Sequence, residues 1–124
     1  MVDDEPGVID LIVTVLRETG WRVDVAPGGR RGLERVRQRR YDLVVSDMRM
    51  PDGGGEEFYR SAIMADPALG GRFLFITGDT ANVQAWAFLK RARLAVIEKP
   101  FAPDVFLEAV RRVAGSLTAS GLRA

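Results

Sequence analysis

Residues 41–53 read Tyr41-Asp42-Leu43-Val44-Val45-Ser46-Asp47-Met48-Arg49-Met50-Pro51-Asp52-Gly53. The apolar residues at 43–45 follow one another without alternation and lead into Ser46 and Asp47. A strand with one face in water alternates apolar and polar residues, whereas a strand covered on both faces reads as a continuous apolar run. The stretch is therefore expected inside a parallel sheet, with Asp47 delivered at its carboxyl end. Runs of the same kind occur at 23–26 (after Trp21), 73–76 and 94–97, with a stub at Met1-Val2.

Between the runs, apolar residues recur at helical spacing. Val8, Leu11, Ile12, Val15 and Leu16 form one stripe, closed by Gly20 and opened by Pro6, which a first helical turn tolerates. Leu33 and Val36 mark a shorter helix among Arg30, Arg31, Arg35, Arg37, Arg39 and Arg40, a set read as a solvated face. A third helix is expected over about 56–65, ending before Pro67, and a fourth over about 80–90. The fifth starts near Pro103-Asp104, with Phe106, Val110 and Val113 on one side. On the fourth helix Trp86 and Phe88 lie ~200° apart and cannot both face the sheet. Trp86 is expected outside, marking a partner surface.

Strands alternating with helices through short connections give an α/β domain whose parallel sheet is covered on both faces. That domain is read over residues 1–114, with 115–124 as a helix end or linker tail. Val2-Asp3-Asp4 directly before a helix looks like the end of a first strand whose beginning is missing. Should such a strand lie inside the sheet, the gap is expected to lower stability or to drive self-association.

Composition narrows the chemistry. The chain has 124 residues, a formal net charge of +1, no Cys and no His. Disulfides, thiolate or imidazole zinc sites and Ser-His-Asp catalysis are thereby excluded. Only Lys90 and Lys99 are lysines among the basic residues, and the charge is too balanced for a generic polyanion binder, so no nucleic acid contact is expected. No apolar run approaches ~18 residues, and the acidic start lacks a signal-peptide core; a cytoplasmic domain without membrane contact is expected.

In an open parallel sheet, ligands gather at the carboxyl ends of the strands. The stub ends in Asp3-Asp4, the run at 43–45 leads to Asp47, the run at 73–76 to Thr77-Gly78, and the run at 94–97 to Glu98-Lys99-Pro100. Clustered carboxylates repel one another, and an oxygen-only ligand set suits Mg2+. Asp47 is left to attack phosphorus, while Lys99, the Thr77 hydroxyl and the Gly78 backbone N–H take phosphoryl oxygens. The triplet Gly53-Gly54-Gly55 lacks the Gly-Lys-Ser/Thr of a phosphate loop and is read as a mobile loop.

The ordered set Asp3-Asp4, Asp47, Thr77 and Lys99-Pro100 resembles the receiver domain of two-component response regulators. The strings Val2-Asp3-Asp4-Glu5-Pro6, Ser46-Asp47-Met48-Arg49-Met50-Pro51-Asp52-Gly53 and Glu98-Lys99-Pro100-Phe101 carry the resemblance over most of the chain. The run Phe73-Leu74-Phe75-Ile76-Thr77-Gly78-Asp79 further resembles C-terminal receivers of hybrid sensor histidine kinases. The resemblance implies a flavodoxin-like, five-stranded parallel sheet of order 2-1-3-4-5 with five helices. It implies that Asp47 accepts a phosphoryl group from a histidine kinase or a histidine phosphotransfer domain, changing partner affinity. Asp4 would ligate Mg2+ directly and Asp3 through water, with Asp47 and the Arg49 backbone carbonyl completing the set. The Lys99-Pro100 bond is expected to be cis. Such a domain is a signalling module, limited to its own phosphorylation and dephosphorylation, and not an enzyme.

Three other functions are weighed. A phosphatase of the haloacid-dehalogenase kind wants an acidic residue two positions after the nucleophile, where Arg49 stands. A doubly wound nucleotide or flavin domain wants a glycine-rich loop after a strand, which is absent. A degenerate receiver serving as a docking scaffold is favoured only by Val96, which stands where many receivers carry a switching aromatic, and by the shortened first strand. Arg49 and Asp79, two positions beyond Asp47 and Thr77, are expected to bridge over the phosphoryl group and shield it from water.

Overall fold

The computed structural model describes residues 1–3, 5–49, 54–78, 83–114 and 123–124. Five α-helices, α1 (Pro6–Glu18), α2 (Gly29–Gln38), α3 (Gly55–Ala65), α4 (Val83–Arg91) and α5 (Pro103–Ala114), alternate with strands β1 (Val44–Asp47), β2 (Phe73–Thr77) and β3 (Ala95–Glu98). The strands are parallel in the order β1-β2-β3, with Val44 opposite Phe73 and Thr77 opposite Glu98. Val2 bridges in parallel to Ser46 on one side and to Ala26 on the other. Across the sheet the order is therefore the segment at Ala26, the stub at Val2, then β1, β2 and β3. Counted along the chain this is 2-1-3-4-5, the flavodoxin-like arrangement.

The two outer positions are thinner than the sequence suggests. The apolar run at 23–26 forms no full strand, and only Arg22 and Ala26 make bridges. Its hydrogen bonds are nevertheless made. The Ala26 N–H donates to the Met1 carbonyl at 2.9 Å, and the Asp3 N–H donates to the Ala26 carbonyl at 3.1 Å. Where the stub falls short, Arg123 and Ala124 lie alongside Arg22. The Ala124 N–H donates to the Arg22 carbonyl at 2.8 Å, and its carbonyl accepts from the Asp24 N–H at 3.0 Å. The Arg123 carbonyl accepts from the Asp42 N–H at 2.8 Å. These backbone groups, expected to lack partners, are paired within the chain; of the tail read as helix end or linker, the described residues 123 and 124 belong to the sheet.

Alternation along the strands divides the core in two. Val45, Leu74 and Ile76 face α1 and α5, meeting Ile12, Leu16, Phe106 and Val110. Val44, Phe73 and Phe75 face the other way, toward Val36, Phe58, Ala62, Phe88 and Leu89. Full burial of each such side chain contributes roughly 1.5–3 kcal/mol. The second layer is aromatic: Phe73 and Phe75 stack at 5.4 Å between ring centroids, and Tyr59 meets Phe73 edge-on at 4.9 Å. Phe88 is buried here, but Trp86, expected to stand outside, is half-buried against the same cluster. A ring that large covers apolar surface even from a helix flank. Among the described residues, no helix is long and apolar enough to cross a membrane.

Candidate functional site

The carboxyl ends of the strands converge on one rim. Asp47, the last residue of β1, is buried, and each of its oxygens is engaged. Oδ1 accepts the Arg49 backbone N–H at 3.1 Å, and Oδ2 accepts the Lys99 ammonium at 2.9 Å. Gly55, the first residue of α3, packs directly beneath. A Cβ there would lie 2.8 Å from the Asp47 carbonyl oxygen and 2.9 Å from the Met48 Cα, so only glycine fits. The reading of residues 53–55 as a mobile loop is corrected at this position: Gly55 starts a helix, and its N–H donates to the Met48 carbonyl at 3.0 Å.

Asp3 follows the stub residue Val2 and is completely buried. Its Oδ1 accepts the Glu5 backbone N–H at 2.9 Å. Its Oδ2 has no hydrogen-bond partner and lies 3.7 Å from the Lys99 nitrogen. Burial pushes the Asp3 carboxyl up to about 6, against the Glu5 N–H, which favours ionisation, and with the neighbouring Asp47 charge, which opposes it. An unpartnered carboxylate oxygen at this depth is costly unless a cation reaches it.

Thr77 is buried at the end of β2. Its carbonyl accepts the Lys99 backbone N–H at 2.8 Å, so one ladder holds both residues. Gly78 comes next, exposed, with the Lys99 side chain at ordinary van der Waals distance from where a Cβ would stand. The Lys99-Pro100 peptide bond is cis. The ammonium at the end of Lys99 serves three carboxylates: Asp47 and Glu5 at 2.9 Å each and Asp3 at 3.7 Å. Burial works against its charge, but the hydrogen bonds to Asp47 and Glu5 outweigh that and hold its pKa above the ordinary lysine value. Lys99 is therefore a fixed cation across the whole range of working pH.

Of the residues singled out from sequence, Asp3, Asp47, Thr77, Gly78 and Lys99 come together at this rim, with Arg49 exposed beside it. Asp4 and Asp79 lie outside the described residues, so the direct metal ligand and the Arg49–Asp79 bridge have no geometry here. Glu5 was overlooked as a functional group, although it stands in the quoted string before Pro6. A proline disfavours helical backbone in the residue before it. Glu5 accordingly adopts φ −93° and ψ 110° at the head of α1, which leaves its side chain on the rim.

Carboxylate oxygens of Asp3, Glu5 and Asp47 all lie within 4.8 Å of one another. Three negative charges face one positive charge in this described set. A hard divalent cation would balance the set, and the vacant Asp3 Oδ2 gives it an oxygen no protein donor occupies. The residues thus fit Mg2+.

Comparison with known proteins is consistent with this rim. The response regulator receiver domain model matches residues 1–111. Transcriptional regulatory protein CreB of Escherichia coli strain K12 is 31% identical over 111 residues, 90% of this chain and 48% of that protein. The chain thus spans about half the length of this relative. Among solved structures, Vibrio cholerae chemotaxis protein CheY4 superposes with a TM-score of 0.81 at 27% identity, covering 90% of this chain and 93% of that one. The receiver domain of a sensor histidine kinase from Pseudomonas aeruginosa PAO1, solved with a magnesium ion coordinated in its active-site cleft, shares the fold with a TM-score of 0.81 at 22% identity. It covers 93% of this chain and 94% of that one. Sheet order, rim chemistry and family match agree: the chain belongs to the response regulator receiver domain family.

Proposed function

We propose that this chain is a phosphoacceptor module, taking a phosphoryl group onto Asp47 from a phosphohistidine on a histidine kinase or histidine phosphotransfer protein, in the cytoplasm. The observation that carries the reading is the Lys99 ammonium 2.9 Å from the buried Asp47 carboxylate, beside the unpartnered oxygen of Asp3. In the transfer, an Asp47 oxygen forms a bond to phosphorus while the phosphorus–nitrogen bond of the donor imidazole breaks. The imidazole leaves with that electron pair. Asp47 thereby loses its formal carboxylate charge, and the phosphoryl oxygens become the strongest acceptors on the rim. Lys99 then turns from Asp47 to a phosphoryl oxygen, and the Thr77 hydroxyl and the Gly78 N–H take others. A Mg2+ bound by Asp4, Asp47 and the Arg49 carbonyl, and by Asp3 through water, would neutralise charge on the phosphoryl oxygens.

The magnesium ion in the related sensor-kinase receiver supports that metal for this chain. Residues 1–114 are proposed as the receiver unit, with residues 123 and 124 pairing against it at Arg22.

The test is incubation with Mg2+ and a small phosphodonor such as acetyl phosphate. A phosphoacceptor gains one acid-stable, base-labile phosphate, lost in Asp47→Asn. A docking scaffold gains none, and a phosphatase consumes donor continuously; either result would replace this reading.

A further inference from the structure

The rim holds one acidic residue that the transfer chemistry leaves without a task. Glu5 takes the Lys99 ammonium at 2.9 Å, as closely as Asp47 does, while its own side chain is 59% exposed. Its main chain is fixed from both sides. The N–H is spent on Asp3 Oδ1, and Pro6 keeps the backbone extended. Glu5 is thus a firmly based arm reaching over the mouth of the site.

The ammonium stands between an outward and an inward pull. Outward is Glu5; inward are the buried Asp47 carboxylate at 2.9 Å and, deeper, the Asp3 Oδ2, without a hydrogen-bond partner 3.7 Å away. A buried carboxylate oxygen in want of a donor attracts the nearest cation strongly. Without Glu5, Lys99 would sink toward Asp3 and become an internal counter-ion, covering the oxygen a divalent cation needs. It would also retreat from the rim where phosphoryl oxygens arrive.

We propose that Glu5 is a positioning residue: it holds Lys99 at the mouth of the site and so keeps the Asp3 carboxylate open to the metal. The proposal rests on the phosphoacceptor reading for its consequence in transfer, but its geometric core does not. Glu5→Asp keeps the charge and withdraws the reach by one methylene, whereas Glu5→Gln keeps the reach and removes the charge. The holding role needs both.

Two measurements decide it on the full chain. Only two lysines are present, Lys90 and Lys99, so their ammonium groups give two signals in nitrogen-detected NMR. Without Mg2+, hydrogen exchange of the Lys99 ammonium with water should slow roughly fivefold in both variants, the mark of a deeper hydrogen-bonded position, with Lys90 unchanged as the internal reference. Mg2+ titrated alone should bind roughly five- to tenfold more weakly to both variants. Exchange at Lys99 that is unchanged or faster overturns the proposal, as does Glu5→Asp binding Mg2+ like the unaltered chain, which would leave only a general charge effect. Neither measurement involves phosphate, so failure of Asp47 to accept phosphate would remove the functional reading and leave this one decided on its own data.

Discussion

Two carboxylates stand at opposite ends of the same sheet and are treated in opposite ways. At the amino ends of the strands, Asp24 Oδ2 accepts the Tyr41 hydroxyl at 2.6 Å and has Arg123 at 3.5 Å and Arg39 at 3.9 Å. Burial works against the Asp24 charge, yet the Tyr41 hydrogen bond and the two arginines hold its pKa below the ordinary aspartate value. At the carboxyl ends, Asp3 is more deeply buried, keeps one oxygen unpartnered, and has its pKa pushed up to about 6. The first end completes its electrostatics within the chain, and the second leaves them incomplete. The difference teaches where this molecule leaves an electrostatic demand unmet: a buried carboxylate oxygen without a donor costs stability that the Asp24 cluster does not give up.

The comparison breaks most sharply at the satisfied end. Asp24→Ala would leave the buried Tyr41 hydroxyl and two guanidinium groups without their shared acceptor. It should cost about 3 kcal/mol, a fall in melting temperature of roughly ten degrees, with Mg2+ affinity unchanged. Thermal unfolding checks it, and an unchanged midpoint would show the cluster to be ornamental.

Asp3→Asn should act in the opposite sense. The folded chain binds the Asp3 proton with a pKa of about 6, against an ordinary value of 3.8. The folded state thus holds the proton more tightly than the unfolded chain, so stability without metal falls as pH rises from about 4 through 6. Removing the charge should raise stability at pH 7.5 by about 2 kcal/mol and flatten that dependence. Urea titrations at pH 5 and 7.5 in a chelator measure it. Added Mg2+ should narrow the gap by stabilising only the unaltered chain.

Smaller effects sharpen the contrast. Tyr41→Phe deletes one hydrogen bond while leaving the arginines on Asp24, and should cost about 1 kcal/mol by the same urea titration. The Tyr41 proton itself is held firmly, its pKa pushed up to about 12 by burial and then by Asp24. Glu56→Gln, which breaks the exposed pair with Arg60 at 2.8 Å on α3, should change unfolding by less than ~0.5 kcal/mol. A larger effect there would mean that the surface of the sheet's flanking helices contributes as the buried clusters do.

Much of this was legible in the residues, for physical reasons that also mark where legibility stops. The central strands announce themselves because both faces are buried, so 43–45 and 73–76 are apolar without interruption. The polar residue that ends each run is also the residue at the rim, which is why Asp47, Thr77 and Lys99 could be placed together. Glu5 could not be singled out, because its role depends on where Lys99 ends, 94 positions away. Nor could residues 123 and 124, since two residues without an apolar pattern carry no strand signal and pair only because neighbouring backbone groups are available. Trp86 was misplaced for a related reason: helical angle fixes direction, but the reach of an indole decides what it covers.

The three full strands differ in how tightly they are gripped. Every residue of β1 and β2 is buried, whereas β3 is half-buried through Ala95, Val96 and Ile97 and exposed at Glu98. Among the described residues it is paired on one side only, to β2. Thr77 and Lys99 are joined main chain to main chain across that single seam. A displacement begun at the rim therefore meets stiff neighbours inward and a yielding one outward. Val96, half-buried, gives the β3 margin an aliphatic side chain rather than a ring.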